Sequence, residues 1–301
     1  VLIMIFYGII KYDVNKCITG KHDLYVLIVI ILIFISGFAY RLGGDGLQYL
    51  LEYNSYHTHD GFGWQALNKY NNRLPGWVFF TKLCRLISKD YWLFKMFHAI
   101  VVNILISKAI KRYTNYLFTG LLMYFVLMYF DFNFQILRQS LSVAIFLSVI
   151  PYFEKNQWVR YYFITTIAFL IHHSAIICLF FPLIKVLGYN NRVQCLYVFL
   201  SLIFILFVDD ILMVILTSYT LDESTANLDH YAKQVEIGIG FSFFSNLLLS
   251  LIIPLCFLLY YNKKGISHDI YPKQYMIIVY GMIYTMGLYI PILYRFNHYF
   301  V

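Results

Sequence analysis

The chain has 301 residues, 61% apolar and 20% aromatic, with 13% charged. Soluble domains carry about 25% charged residues, so this balance excludes an ordinary soluble protein and points to an all-α, polytopic transmembrane helical bundle. The net charge of +8 is carried in short loops between apolar runs, where it reads as a topology signal, and no nucleic-acid partner is expected.

The first apolar run, residues 1–10, begins without Met and is too short to cross a bilayer, which takes about 20 residues. A start upstream, or the tail of a first span, is therefore expected. No basic region or small-residue cleavage site marks it as a signal peptide. A polar loop at 11–23 leads into a clear span at 24–39. Residues 40–90 form the longest polar region, expected as an outer segment. Within it, 76–88 is too short and too charged to cross and reads as a helix lying in the interface.

Further spans are expected at 91–107, 114–130 and 135–153, followed by a short loop at 154–160. Residues 161–187 are apolar but hold His172-His173-Ser174, which suggests two short or tilted helices meeting at the histidines. A span at 193–208 ends at Asp209-Asp210, and a second outer loop follows at about 209–240. Spans at 241–261 and 274–293 complete a single transmembrane domain over 1–301, and its abrupt ending suggests that a further span follows. No internal repeat is visible.

Loop charge tests this layout. If 11–23, 108–113, 154–160, 185–192 and 262–273 face the cytoplasm, they hold more than half of the 23 Lys and Arg, while most of the 15 Asp and Glu fall on the other side. The positive-inside rule then supports about ten crossings with both ends outside. In this topology Arg41–Asp45, Asp131–Gln139, His172–Ser174 and Arg295 share the outer membrane level.

Gln135, Arg138, Gln139 and Ser142 recur at i, i+3, i+4 and i+7, one polar stripe on an otherwise apolar helix. An Arg cannot be deprotonated, so at a membrane boundary it either snorkels to water or clamps an anionic group such as a phosphate. The continued stripe favours the second. His172 and His173 point about 100° apart on a helix, so one of them is expected to be structural. The other is either a hydrogen-bonded core residue or a general acid or base. No carboxylate or Cys lies at i+3 or i+4 from either histidine, which argues against a metal site, and the five scattered Cys suggest no disulfide framework.

Arg295 precedes an aromatic cluster and reads equally as an interfacial anchor. Gly43, Gly44 and Gly46 suggest a tight outer turn beside Arg41 and Asp45, without the pattern of a nucleotide loop. Tyr49, Tyr53, Tyr56, Trp64, Tyr70 and Trp77 suit sugar stacking, though an aromatic belt has the same composition.

Five short pieces carry a resemblance. They are Arg41-Leu42-Gly43-Gly44-Asp45 with Tyr49; Leu74-Pro75-Gly76-Trp77 with Leu83; Leu137-Arg138-Gln139-Ser140-Leu141-Ser142; His172-His173-Ser174-Ala175; and Tyr294-Arg295-Phe296-Asn297-His298-Tyr299-Phe300. Their order and spacing across nearly the whole chain resemble the EpsG-like, Wzy-type polymerases of bacterial surface polysaccharides. Where that family often has Glu-Pro-Gly, this chain has Leu74-Pro75-Gly76, so no acid is expected there.

The resemblance implies a polymerase of the GT-C kind. Such an enzyme moves a growing glycan from undecaprenyl pyrophosphate onto the next lipid-linked repeat unit, at the outer face of the bacterial inner membrane. It implies pyrophosphate contacts at Arg138 and Arg295, assisted by Gln139. His172 would be the catalytic or acceptor-orienting group, and Asp45 a second acid/base or sugar contact. Arg41, Ser174 and Tyr299 would give support. A chain-length regulator is an expected partner, beside membrane lipid, and the chemistry calls for neither metal nor cofactor. An exporter of the same lipid-linked sugars should carry polar groups at both leaflet levels, whereas these gather at one. A ligase acting on another acceptor has the same sequence expectation as a polymerase.

Overall fold

The computed structural model describes residues 1–40, 42–56, 61–69 and 73–182, together with Leu196, Phe199, Ile252, Cys256 and Tyr299. Regular structure among the described residues is helical throughout. The chain divides into two compact units, Val1–Leu179 and Phe180–Val301, and the account below concerns the first.

Helix α1 (Leu2–Gly8) runs on as a π-helical turn, Ile9–Val14, and α2 follows at Lys21–Gly37. The expected outer segment contains three helices: α3 (Gly46–Ser55), α4 (Trp64–Asn68) and α5 (Pro75–Ile87). Proline at the first position of α5 sets its start, because the ring supplies a helical φ where no N–H partner is needed. Helix α6 (Tyr91–Tyr113) is, among the described residues, the one helix long and apolar enough by length and composition to cross a membrane. Helix α7 (Leu117–Tyr124) continues as a π-helical stretch to Tyr129; with it, and with α9 (Trp158–Ile171), the apolar helices are shorter. Helix α8 covers Leu137–Glu154.

Helices α8 and α9 form an antiparallel hairpin, closed by a tight turn in which Asn156 takes the left-handed φ of 55° that Asn tolerates. Val143, Ala144, Phe146 and Ala168 are fully buried. Helix α6 packs between α2 and α8, so the layer order is α2, α6, α8, α9.

Polar ties fix the two ends. At one end Asp13 accepts from the Thr119 backbone N–H at 2.8 Å and its hydroxyl at 2.9 Å, while Lys21 Nζ donates to Asn115 O at 3.0 Å. This end carries Lys21, Lys108, Lys111 and Arg112. At the other end lie the 42–46 turn, the 131–136 segment and His172. Loops 11–23 and 113–119 thus meet at one end, and 42–46 meets 131–136 at the other.

The expected span at 135–153 begins two residues later. Residues Asp131–Gln135 form a separate π-helical turn, and Ile136 (φ −105°, ψ 52°) breaks the helix before α8 starts. Gln135 is therefore off the helix that carries Arg138, and the polar stripe reduces to Arg138, Gln139 and Ser142. The break between His172 and His173 is as expected: α9 stops at Ile171, and a short 3-10 turn, His173–Ala175, follows with His172 extended between them. The expected second outer loop at 209–240, the spans beyond 193, Arg41 and Arg295 lie outside the described residues.

Candidate functional site

The site is built on the first turn of α8. No side chain caps this helix, so its first N–H groups and the positive end of its dipole stand at Arg138. The turn is held from below by α6. His98 Nε2 lies 2.8 Å from Leu137 O and 3.2 Å from Ser140 Oγ; a carbonyl only accepts, so Nε2 carries the proton. Lys95 Nζ donates to Asn133 O at 2.5 Å, and Asn103 Nδ2 donates to Asn133 Oδ1 at 2.9 Å. Asn133 in turn donates to Tyr129 O at 2.9 Å. Lys95, His98, Asn103 and Asn133 are all buried, so each polar group must find a partner inside. Together they fix the helix break and hence the direction of Arg138.

Arg138 is partly buried, and its Nε is a buried donor without a hydrogen-bond partner among the described residues. An unsatisfied buried donor costs about 1–3 kcal/mol. The guanidinium faces Tyr49 of α3. Burial raises the Tyr49 pKa, and Arg138, as a nearby charge and hydrogen-bond donor, works against that rise. Tyr49 therefore stays a neutral hydroxyl beside a fixed cation. The Arg138 charge is felt at Tyr56 as well.

Helix α3 presents Asp45, Tyr49, Glu52 and Tyr56 along one face, at i, i+4, i+7 and i+11. Glu52 accepts from Tyr56 Oη at 2.5 Å, Arg73 Nε at 2.9 Å and Trp77 Nε1 at 2.7 Å. Three donors on one carboxylate tie α3, the 73–74 turn and α5 together. Asp45 is different: it is exposed at the N-terminal end of α3, with no side-chain hydrogen bond to the helix it precedes.

Glycines bring the remaining pieces close. Gly43 has φ of 98°, and a side chain there would run into the Phe134 carbonyl, so the 42–46 turn lies directly on the segment leading to Arg138. A Cβ on Gly76 would lie 2.7 Å from Leu170 O, which sets the start of α5 against the end of α9. His172 sits at that end. Its Nδ1 accepts from the Ser174 N–H at 3.2 Å and lies 2.6 Å from Ser174 Oγ, capping the following turn. With Nδ1 accepting, the proton of the neutral ring is on Nε2, and the imidazole presents a donor. His173 points elsewhere: it is exposed, with its ring 6.3 Å from Phe169.

Asp45, Arg138, Gln139, His172 and Ser174 thus share one end of the first unit. Gln139 is buried against the hairpin, as are Ser142 and Ser174. Tyr299 is buried and belongs to the second unit. The expectation of sugar stacking changes for most of the aromatics. Tyr49, Tyr53, Tyr56 and Trp77 are buried, with the rings of Tyr49, Tyr53 and Trp77 packed on one another or on Phe94, whereas Trp64 is 65% exposed. Tyr70 lies outside the described residues.

Glu52 and Arg73 have no place in the sequence reading, and Tyr56 enters it only as one of the outer aromatics, although the i, i+4, i+7, i+11 spacing from Asp45 joins Glu52 and Tyr56. No acid was expected beside Pro75-Gly76, yet the Glu52 carboxylate reaches Trp77, the next residue along. Among the described residues, no group of three or more His, Cys, Asp or Glu is placed to hold a metal ion.

No curated protein and no solved structure matches the chain. The EpsG family profile matches residues 23–301, nearly the whole length, a range within which all five short pieces described above fall. The chain therefore belongs to the EpsG family, a family of Wzy-type polysaccharide polymerase-like proteins.

Proposed function

We propose that the protein polymerises undecaprenyl-pyrophosphate-linked oligosaccharide repeat units into a bacterial surface polysaccharide, as a metal-independent glycosyltransferase of the inner membrane. The chain would cross the membrane about ten times, with the Arg138 end facing the periplasm or exterior. One observation carries this reading: a guanidinium with an unused buried donor stands on an uncapped helix N-terminus, beside a neutral tyrosine and an exposed carboxylate. A helix N-terminus and a forked cation are both complementary to a pyrophosphate.

The reaction breaks the bond between the anomeric carbon of the growing glycan and the pyrophosphate oxygen, which leaves with the electron pair. The acceptor hydroxyl of the next repeat unit attacks that carbon and gives up its proton. Arg138 takes the charge that develops on the leaving pyrophosphate, with Gln139 as support and Arg295 as a second guanidinium. Removing one such donor typically costs about 10²–10³ in rate. Asp45, exposed and without a cap bond to its own helix, is the base that receives the hydroxyl proton. His172, with its proton on Nε2, orients the acceptor or the leaving group as a donor, and Ser174 holds its tautomer. Arg41 and Tyr299 are proposed as supporting residues, as the family resemblance implies.

The test uses purified protein with undecaprenyl-pyrophosphate repeat unit in vitro. A ladder of products on a gel is expected, and it should be lost in Arg138→Ala while the variant still inserts. A single transfer to a different acceptor would identify a ligase. Movement of the lipid-linked unit across a vesicle membrane without any ladder would identify an exporter.

A further inference from the structure

The end of the first unit opposite Arg138 carries a second feature that the polymerase chemistry does not use. A groove of about 310 Å³ runs between α2 and α6. Its walls are Val29, Ile30 and Ile104 with their apolar neighbours, and its mouth is formed by His22, Lys108 and Lys111. From His22 to Ile33 it extends about 16 Å along α2 at 1.5 Å per residue. Lys108 and Lys111 also line the groove on the other side of α6, where Arg112 and Ser148 join them. Among the described residues no carboxylate pairs with His22, Lys108 or Lys111, although Asp13 takes Lys21 close by.

A long apolar trough crowned by uncompensated cations is complementary to one kind of molecule: an amphiphile with an anionic head and a hydrocarbon tail. We infer that this groove binds an anionic phospholipid, its phosphate on Lys108 and Lys111 and one acyl chain between α2 and α6. A merely basic loop would need no trough. Loop charge alone accounts for basic groups at this end, and the trough beneath them adds the length an acyl chain needs. Basic pockets between membrane helices at the cytoplasmic side suit anionic headgroups, and each Lys near such a surface contributes severalfold to affinity. The inference rests on the membrane reading given above, with this end at the cytoplasmic leaflet, and it gives the basic end a ligand as well as a topological role.

The test takes the purified full chain in detergent, mixed with phosphatidylglycerol and phosphatidylcholine, and counts retained lipid by native mass spectrometry. Phosphatidylglycerol should be retained in preference. The K108Q/K111Q variant should lose at least tenfold in retention, and K108R/K111R should keep it. Ile30→Trp, which fills the trough and leaves the charges intact, should lose retention too. Excess glycerol 3-phosphate should not displace the lipid. Equal retention by K108Q/K111Q and the parent chain, or equal retention of the two lipids, overturns the inference. So does displacement by glycerol 3-phosphate with Ile30→Trp unaffected, which would mark a site for soluble phosphate. The product ladder of K108Q/K111Q reports on the polymerase reading separately, because these lysines lie away from Arg138.

Discussion

Ser142 and His172 share a single acceptor. The Ala168 carbonyl takes the Ser142 hydroxyl at 2.8 Å and the His172 backbone N–H at 3.1 Å. The bond crosses from the second turn of α8 to the last turn of α9, so the helix that carries Arg138 and the residue that ends α9 are locked in register. Ser142→Ala removes one of these two bonds. A cost of about 0.5–1.5 kcal/mol is expected in denaturant unfolding, with a larger fractional loss of ladder formation than of fold.

His172 has two separable roles, and Asn distinguishes them. Its Nδ1 caps the turn at Ser174, and an Asn side-chain oxygen can accept the same bond. His172→Asn should therefore insert and unfold like the parent chain yet lose polymerisation. His172→Ala should lose the cap as well, at about 0.5–2 kcal/mol. Full activity in His172→Asn would reduce the residue to a cap.

The Glu52 cluster sets the position of α3. Trp77→Phe takes one donor from the carboxylate, and a hydrogen bond to a charged group is worth about 1.5–3 kcal/mol. Because Trp77 is buried, the smaller ring adds a cavity to that loss. The thermal midpoint should fall clearly. Arg73→Gln, which leaves Glu52 without its cation, should lower it too.

Gly76→Ala probes the seam between α5 and α9. The added methyl would press on Leu170 O at 2.7 Å, a backbone atom that cannot swing away. Overpacking of this kind typically costs about 1–3 kcal/mol. The shift should appear as lowered stability together with weaker ladder formation, since Leu170 lies two residues from His172.

Much of the site's composition was legible in the sequence, and its wiring was not. The Arg138 motif and the break at His172 stand out, because a charge and an imidazole inside apolar runs are costly and therefore conspicuous. Helix α3 was folded into a long polar region: ten residues with glycine at the start give little periodic signal. The buried polar groups on α6 were hidden for the opposite reason. Lys95 and His98 sit in a run apolar enough to pass as a plain span, and only their partners on the 131–140 stretch explain them. Tyr49, Tyr53, Tyr56 and Trp77 are packed inside, where the sequence suggested a surface, because composition cannot tell a packed cluster from a platform. Helix α8 was expected to begin at Gln135, but backbone bonding through Asp131 O favours a π-turn ending at Ile136, which no side-chain pattern announces.

The central claim is that Arg138 holds the pyrophosphate of a lipid-linked glycan. A structure of the full chain with undecaprenyl pyrophosphate bound tests it most directly. Phosphate oxygens within about 3 Å of the Arg138 Nε and terminal nitrogens are the predicted result. A pyrophosphate seated on Lys108 and Lys111, with Arg138 still turned to Tyr49 alone, would contradict it.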